Sequence, residues 1–506
     1  MAAGPLPARS VPPYPVGTDR WPDEGVLRMR KPMNRALEGL APSGIRRINA
    51  LAAAHPGCIA LALGEPDFDT PEPICAAAHG ALDAHLTHYP PNNGTASLRA
   101  ALASYMAGAA GGDARLVYAP DEIVVTCGAT EALHAALAAL LEPGDEVVIP
   151  TPAFGLYDSI VRMRGAVPRL LDTVPHAFQI DEAALAAAVG PATKALVLCS
   201  PNNPTGCILS TASLDAVARV AARHGIYVIC DDVYNRLVYG AAHGGVASAA
   251  TAGTGAGVAV AGPAEASEAG ERARPAEGKG PGAAGTGGAE VPEGGACSRA
   301  VEIPGSKACS HAAEPAQAPA FEHAAEPAQV SAFERFAARH CELRDRIVVV
   351  DSFSKPWAMT GWRVGWVAAA APVAAQIAKA HQFMVSSVPA FIMPAAEAAL
   401  ACDPEPMRTV FQARRARVLQ ALEDMGLPVV EPGGAFYAFP SIAGTGLGSE
   451  EFCERAITEA GVALVPGTCF SAEGFVRLSF CVADADLDEG LRRLGAFVRS
   501  LKRREG

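Results

Sequence analysis

Five short runs of consecutive, mostly apolar residues recur along the chain, and helical segments or turn-rich loops separate them. Each run is too short for a typical helix and does not alternate apolar with polar residues, which is typical of a strand buried on both faces. Strands that alternate with helices form a mostly parallel sheet covered by helices on both faces, so the sequence predicts an α/β fold. The runs begin at Ile123, Glu146, Lys194, Gly225 and Arg346.

A lysine lies just past the end of the last run. Residues 346–351 (Arg-Ile-Val-Val-Val-Asp) are followed by Ser-Phe-Ser-Lys, and functional loops of α/β enzymes follow the carboxyl ends of strands. The apolar Phe353 and Trp357 and the cation Arg363 disfavour a second positive charge, which favours a low pKa for Lys355 and a neutral amine that can attack a carbonyl. A lone lysine after a strand is more often a surface residue, so this hypothesis depends on the other loops.

The first run is followed directly by a predicted helix that extends to about Leu141. Helix N-termini bind anions through their free amides, so Gly128, Ala129 and Thr130 form a candidate phosphate cup with small side chains and one hydroxyl donor. From these residues alone, an ordinary strand-to-helix turn is the more frequent interpretation.

Unusual residues also follow the other strands. The loops that carry them are residues 152–157 (Pro-Ala-Phe-Gly-Leu-Tyr), 200–206 (Ser-Pro-Asn-Asn-Pro-Thr-Gly) and 231–234 (Asp-Asp-Val-Tyr). Because the carboxyl ends of parallel strands meet at one edge of a sheet, these loops are expected to lie close to the lysine.

Beyond the large sheet, the chain is predicted to contain a smaller α+β domain formed by an N-terminal segment and the C-terminal part. The predicted organisation is a partly disordered N-terminal arm at 1–40, a small-domain segment at 41–75, a large domain in two parts at 76–242 and 332–395, an insertion at 243–331, and the C-terminal small domain at 396–506. The insertion is rich in Gly, Ala, Glu and Pro, and residues 311–322 are nearly repeated at 323–334. Such a composition buries too little apolar surface to offset ordering entropy, so disorder is predicted, with a partner-binding segment as the alternative.

Composition narrows the range of possible binding partners and of cellular compartments. A net charge of −12 and a pI near 5.5 provide no broad basic surface for nucleic acid or an anionic membrane, so a small-molecule partner is expected. The thirteen cysteines show no paired or metal-ligand spacing and are predicted to be reduced thiols in the cytoplasm. The N-terminus has prolines where a signal peptide needs an apolar core. The apolar run from Trp366 to Ala375 is too short for a membrane span and is predicted to be a soluble helix.

Taken together, these loops resemble those of class I/II aminotransferases, fold-type-I enzymes that depend on pyridoxal phosphate (PLP). The resemblance covers roughly Ala41 to Gly240 and Ala332 to Leu501. It implies that Lys355, Asp231 and Tyr234 are the catalytic residues. Lys355 matches the lysine that holds PLP as an imine and moves a proton between the substrate Cα and the cofactor, and Asp231 matches the carboxylate that pairs with the pyridine nitrogen.

The resemblance also implies the remaining cofactor contacts. Arg363 matches the guanidinium that binds the phosphate, and Tyr234 and Asn203 match donors to the phenolic oxygen of the ring. The other implied cofactor residues are Gly128, Ala129, Thr130 and Ser352 at the phosphate, Phe154 stacked on the ring, and Tyr89, which reaches the phosphate across a dimer interface. A homodimer is therefore implied.

The resemblance also implies which residues bind the substrate. Arg477, in Phe-Val-Arg-Leu-Ser-Phe, matches the arginine that binds the substrate α-carboxylate, with Asn203 and the Gly64 backbone nearby. No second arginine for a dicarboxylate side chain is evident, so the sequence does not support aspartate specificity. Met393 stands where many relatives have glutamine, and Arg414, Arg415 and Arg417 are predicted to form a solvated helix face.

The predicted reaction is transfer of the amino group of an L-amino acid to a 2-oxo acid such as 2-oxoglutarate. A PLP-dependent carbon-sulfur β-lyase on the same fold is the main alternative, since it uses the same lysine and aspartate. A ligand-sensing regulator would need a basic DNA-binding domain, and the proline-rich N-terminus has no such pattern.

Overall fold

The computed structural model describes residues 34–40, 44–109, 117–240 and 334–504. The predicted insertion at 243–331 and nearly all of the predicted N-terminal arm lie outside the described residues. The domain boundaries given above therefore stay predictions.

A seven-stranded sheet organises the larger part of the described chain. In chain order the strands of the described residues are β1 (Ile59–Ala60), β2 (Ile123–Thr126), β3 (Glu146–Thr151), β4 (Val167–Asp172), β5 (Thr193–Cys199), β6 (Tyr227–Asp231), β7 (Ile347–Ser352), β8 (Gly365–Ala369), β9 (Tyr437–Ala438), β10 (Val462–Ala463), β11 (Val465–Pro466) and β12 (Val476–Ser479). The large sheet has the order β2-β8-β7-β6-β5-β3-β4, and only β8 runs antiparallel to its neighbours. The mostly parallel α/β fold predicted from the apolar runs is confirmed.

Helices cover both faces of this sheet and build the rest of the described chain. They are α1 (Arg35–Glu38), α2 (Gly44–Ala53), α3 (Glu72–Asp83), α4 (Ala96–Ala109), α5 (Gly128–Leu140), α6 (Leu156–Met163), α7 (Glu182–Ala188), α8 (Thr211–His224), α9 (Phe336–Arg339), α10 (Ala371–Val385), α11 (Ile392–Ala401), α12 (Glu405–Met425), α13 (Ser449–Arg455) and α14 (Asp484–Arg504). The buried apolar residues form two large clusters, which share the central strands because alternate side chains point to opposite faces.

Capping residues fix where α8 begins and ends. The Ser210 side chain accepts a hydrogen bond from the Ser213 amide, which is the typical N-cap contact. At the other end Gly225 adopts φ 69°, a left-handed conformation that glycine takes without steric cost. The helix therefore starts at Thr211 and ends at His224.

One helix prediction is wrong. The run from Trp366 to Ala375 divides into strand β8 and the start of α10, with the break at Ala370. β8 lies between β2 and β7, and Trp366 is fully buried there. A Cβ on Gly365 would come within 2.8 Å of the Asp351 carbonyl oxygen, so the neighbouring backbones leave room only for glycine. Pairing and burial override the helical preference of alanine.

A smaller α+β region joins the N-terminal segment to the C-terminal part. β11, β12 and β9 form an antiparallel sheet, and β1 pairs in parallel with β10. The pairing of Ile59 with Val462 links segments that are far apart in sequence. The predicted smaller α+β element is confirmed. No helix within the described ranges is long and apolar enough to cross a membrane.

The predicted solvated arginine face of α12 is wrong for Arg414. Its side chain is buried, and Nη1 and Nη2 donate to the two carboxylate oxygens of Asp67 at 2.7 and 2.9 Å. Its Nε donates to Asp484 at 2.7 Å, and Phe68 and Phe411 pack near the guanidinium. Arg414 therefore connects α12 to the loop after β1 and to the start of α14.

Candidate active site

A cavity of about 280 Å³ lies where the parallel strands of the large sheet end. β5, β6 and β7 contribute their last residues, Cys199, Asp231 and Ser352, and β12 contributes Arg477. The predicted site residues that line it are Gly64, Ala129, Thr130, Phe154, Asn203, Asp231, Tyr234, Ser352, Lys355, Arg363 and Arg477. The structure therefore brings together residues that are spread over most of the chain.

Two predicted residues stand apart from this lining. Gly128 lies behind the cavity wall, at the start of α5, and contacts Arg363. Tyr89 is 91 % exposed and does not line the cavity of its own chain.

The start of α5, where the sequence predicts a phosphate cup, lies beside Arg363. Gly128 has φ 80°, and a Cβ at this position would lie 2.7 Å from Arg363 Nη2. Glycine is therefore required both for the turn and for the close approach of the guanidinium. Arg363 itself has φ 54°, and its Nη1 donates to the Thr360 carbonyl oxygen at 3.0 Å. Free helix amides, a guanidinium and the Ser352 hydroxyl at one end of a cavity can hold a dianion.

Asp231 is buried at the end of β6 and keeps one oxygen without a partner. Its Oδ2 accepts a hydrogen bond from the Tyr157 hydroxyl at 2.6 Å, whereas the buried Oδ1 has no hydrogen-bond partner. Burial raises the pKa of Asp231 to about 6, and the Tyr157 hydrogen bond opposes this rise. A carboxylate that lines a cavity and has a buried oxygen without a partner is suited to bind a cationic N–H.

Lys355 is partly buried at the same edge of the sheet. Its Nζ donates to the Gly64 carbonyl oxygen at 2.5 Å, so the loop after β1 reaches the lysine. Burial lowers the pKa of Lys355 to about 8, and the positive charges of Arg477 and Arg363 act in the same direction with smaller effect. At neutral pH part of the lysine is therefore the neutral amine that a carbonyl addition requires.

The aromatic neighbours of Lys355 differ from those expected. Phe353 packs against both Trp357 and Trp366 in the core, and neither Phe353 nor Trp357 lines the cavity. The ring near the Lys355 ammonium is Phe436, at 5.9 Å. The low pKa of Lys355 therefore follows from its burial by the loops around the cavity. Phe353 and Trp357 pack in the core instead.

Arg477 is 2 % exposed, and its hydrogen-bond acceptors are neutral. Nη1 donates to Asn203 Oδ1 at 2.9 Å and Nη2 donates to the Ala62 carbonyl oxygen at 2.8 Å. Its Nε is buried without a partner, and the guanidinium lies over the Tyr437 ring at 4.5 Å. Within the described residues Arg477 forms no ion pair, so its charge is available to an anion in the cavity.

Sequence reasoning missed two hydroxyl groups of this site. Tyr437 on β9 shares a hydrogen bond of 3.0 Å with the Tyr234 hydroxyl and lines the cavity. Tyr157 holds Asp231. Tyr157 lies in the first turn of α6, directly after the loop that follows β3, so its position was a usable signal. Tyr437 comes from the smaller sheet, and nothing in its local sequence distinguishes it from a core residue.

Comparison with known proteins shows the family. The chain matches the family described as aminotransferase class I and II over residues 56–262 and 321–494. The interval between these two matches falls inside the predicted insertion at 243–331.

Two curated relatives and one solved structure illustrate the similarity. A probable N-acetyl-LL-diaminopimelate aminotransferase of Bacillus subtilis is 32 % identical, over 94 % of this chain and 97 % of its own length. An aspartate aminotransferase of Pyrococcus abyssi is 32 % identical, over 93 % and 99 %. The structure of Thermus thermophilus aspartate aminotransferase with maleate has a TM-score of 0.70 and 28 % identity, over 92 % of this chain and 99 % of that one. The chain therefore belongs to the aminotransferase class I and II family and is a pyridoxal phosphate-dependent aminotransferase.

Proposed function

We propose that the enzyme transfers the amino group of an L-amino acid to a 2-oxo acid, with 2-oxoglutarate and glutamate as one of its substrate pairs. The observation that carries this proposal is the position of Arg477, a buried guanidinium without an ion-pair partner among the described residues, in the same cavity as Lys355. Amino acids and 2-oxo acids share a carboxylate next to the reacting carbon. One arginine can therefore orient both partners of a transamination.

The residues of the cavity fit PLP. The start of α5 with Arg363 suits the phosphate, and the unpartnered Oδ1 of Asp231 suits the protonated ring nitrogen. Phe154 lines the same cavity and supplies an aromatic face for the ring, while Asn203 and Tyr234 supply polar groups for the phenolic oxygen. The proposed assignments of the predicted site residues rest on this fit.

When bound, PLP supplies an electron sink for the bond broken at the substrate Cα. In this proposal Lys355 would hold the cofactor and would move the proton that is released at the substrate Cα. Its lowered pKa, about 8, suits a group that must accept and release a proton near neutral pH. Asp231 keeps the ring nitrogen protonated through its ionised carboxylate, and Tyr157 holds that carboxylate in place.

The side chain of the substrate is left without a charged partner among the described residues. The charged groups that line the cavity are Lys355, Asp231, Arg363 and Arg477, and each has a role in the proposal. This agrees with the sequence, which shows no second arginine suited to a dicarboxylate.

The proposal includes a homodimer and a cytoplasmic location. Tyr89 is 91 % exposed in a single chain, which supports a role at the cofactor phosphate of a second copy. The eleven cysteines within the described ranges are all unpaired thiols, which supports a reducing compartment.

A panel of L-amino acids tested with 2-oxoglutarate examines the reaction. The purified enzyme is expected to form glutamate with at least one donor, and the Lys355→Ala variant is expected to form none. Release of pyruvate and ammonia from a cysteine-type substrate without any oxo acid, together with no glutamate from any donor, would contradict the proposal and establish the β-lyase alternative.

A further inference from the structure

The ends of β6 and β7 carry polar residues on both faces of the sheet. Asp231 at the end of β6 and Ser352 at the end of β7 line the cavity. The adjacent Asp232 and Asp351 do not line it and are 4 % and 1 % exposed. Because consecutive strand residues point to opposite faces, these two carboxyl groups lie behind the site, where they are buried close together.

Arg335 and Asn235 bridge Asp232 and Asp351, which we call the rear pair. Arg335 Nε donates to Asp232 Oδ2 at 2.7 Å, and its Nη2 lies 3.9 Å from Asp351 Oδ2. Asn235 Nδ2 donates to Asp351 Oδ2 and to the Asp232 carbonyl oxygen, both at 2.6 Å. The Arg335 side chain is only 9 % exposed. It is the one cation that forms an ion pair with either carboxylate among the described residues.

We propose that Arg335 is a positioning residue: by compensating Asp232 and Asp351 behind the sheet, it holds the ends of β6 and β7 together and so fixes Asp231 and Ser352 in the cavity. The inference rests on the proposed cofactor roles of Asp231 and Ser352. Asp351 also accepts a hydrogen bond from the Ser352 amide at 2.8 Å. A displacement of Asp351 is therefore passed directly to the strand end that leads to Lys355.

The groups around the rear pair determine how it responds to pH. Burial raises the pKa of Asp351 to about 8, Arg335 and the contact with Asn235 oppose this rise, and Asp232 reinforces it. Tyr105 on α4 also faces the pair, together with Arg236. A carboxyl group whose pKa is higher in the folded chain than in the unfolded chain stabilises the fold most at low pH, and that contribution decreases as pH rises through the folded pKa.

Loss of Arg335 is expected to raise the pKa of Asp351 further. The free energy of unfolding of an Arg335→Met apoenzyme should therefore fall with pH over a wider interval than in the wild type, continuing above about pH 8. The dissociation constant for PLP should rise by about tenfold, because a displaced binding group loses its aligned contacts.

Arg339→Met provides a matched control. Arg339 ends the helix that Arg335 precedes, and it forms ion pairs of 2.5 and 2.8 Å with Asp215 and Glu334 at a site where its side chain is 29 % exposed. This variant should keep the wild-type pH dependence of apoenzyme stability above about pH 8, since its partner Asp215 has a lowered pKa and is ionised there, and it should keep the wild-type PLP affinity. Apoenzyme unfolding is measured without cofactor, so it tests the role of Arg335 even if the proposed reaction is wrong. An error in the proposed reaction would be seen separately, as absence of glutamate formation by the wild type.

Asp351→Asn in the Arg335→Met background removes one of the two carboxyl groups that Arg335 compensates and keeps the side-chain shape. Loss of the additional fall in stability above about pH 8, together with a PLP affinity within about twofold of the wild type, would support the proposal. The double variant serves equally if Arg335→Met alone does not fold. The proposal is overturned if Arg335→Met behaves like Arg339→Met in both measurements, or if the double variant shows no recovery.

Discussion

Two buried arginines of the chain, Arg414 on α12 and Arg477 on β12, are 5 % and 2 % exposed but have different partners. All three guanidinium nitrogens of Arg414 donate to carboxylates, those of Asp67 and Asp484. Arg477 donates to one amide oxygen and one carbonyl oxygen, and its Nε has no partner. Burial alone therefore does not distinguish a structural arginine from one that binds a ligand.

The difference lies in charge compensation. A buried cation without a counter-charge destabilises a fold, so its presence in a cavity indicates that an anionic ligand supplies the missing charge. Aspartates of the two regions differ in the same way. Both oxygens of Asp67 accept from Arg414, whereas Asp231 keeps a buried oxygen free beside the cavity.

The largest effect on catalysis is expected for Arg477→Leu. Removing the partner of the substrate carboxylate should lower kcat/KM for amino acids and 2-oxo acids by about 10² to 10³-fold, the range for a desolvated charge pair. The free energy of unfolding should change by no more than about 1 kcal/mol, because an uncompensated charge is lost with the hydrogen bonds. PLP should stay bound, as seen from its visible absorbance. Loss of the cofactor would show that Arg477 binds the phosphate.

Arg414→Leu should show the opposite behaviour. It leaves Asp67 without its bidentate partner, and a loss of about 1 to 3 kcal/mol in the free energy of unfolding is expected. Denaturant unfolding measures this loss. The KM for the carboxylate substrates should remain that of the wild type, since Arg414 does not line the cavity. An unchanged stability with a raised KM would reverse the assignment of the two arginines.

The smallest effect is expected for Tyr157→Phe, which tests the free oxygen of Asp231. Asp231 must be ionised in the proposed role, so activity falls as pH decreases through its pKa, which burial raises to about 6. The Tyr157 hydrogen bond lowers that pKa, so the acid limb of the pH–rate profile should move to higher pH without it. Tyr118→Phe removes another buried hydroxyl, outside the cavity, and should leave the acid limb unchanged. An acid limb that stays in place in Tyr157→Phe would contradict this role for Tyr157.

Much of the site follows from sequence because strand ends are local signals. The β-branched run before Lys355 and the apolar run before Asp231 predict two strands, and parallel strands bring their carboxyl ends to one edge. The alanine-rich run from Trp366 was misassigned because helix preference is local, whereas pairing with β2 and β7 is not.

Arg414 and Arg477 show the same limit of prediction from local sequence. The prediction for Arg477 relied on a matched motif, and the structure places it in the cavity. For Arg414 the sequence shows only charges in a helix, and its partner Asp67 lies in a loop that is distant along the chain. Tyr437 was missed for the same reason, since its contact with Tyr234 depends on how the smaller sheet packs against the larger one.

The assignment of Lys355 is tested most directly by trapping the cofactor on the protein. Borohydride reduction of the PLP-loaded enzyme, followed by digestion and peptide mass mapping, identifies the lysine that carries the cofactor. The partly buried Lys355, with a pKa lowered to about 8, is expected to be the modified residue, and Lys355→Ala should yield no specific label. A wild-type label on another lysine, or a specific label that persists in Lys355→Ala, would contradict the proposed site.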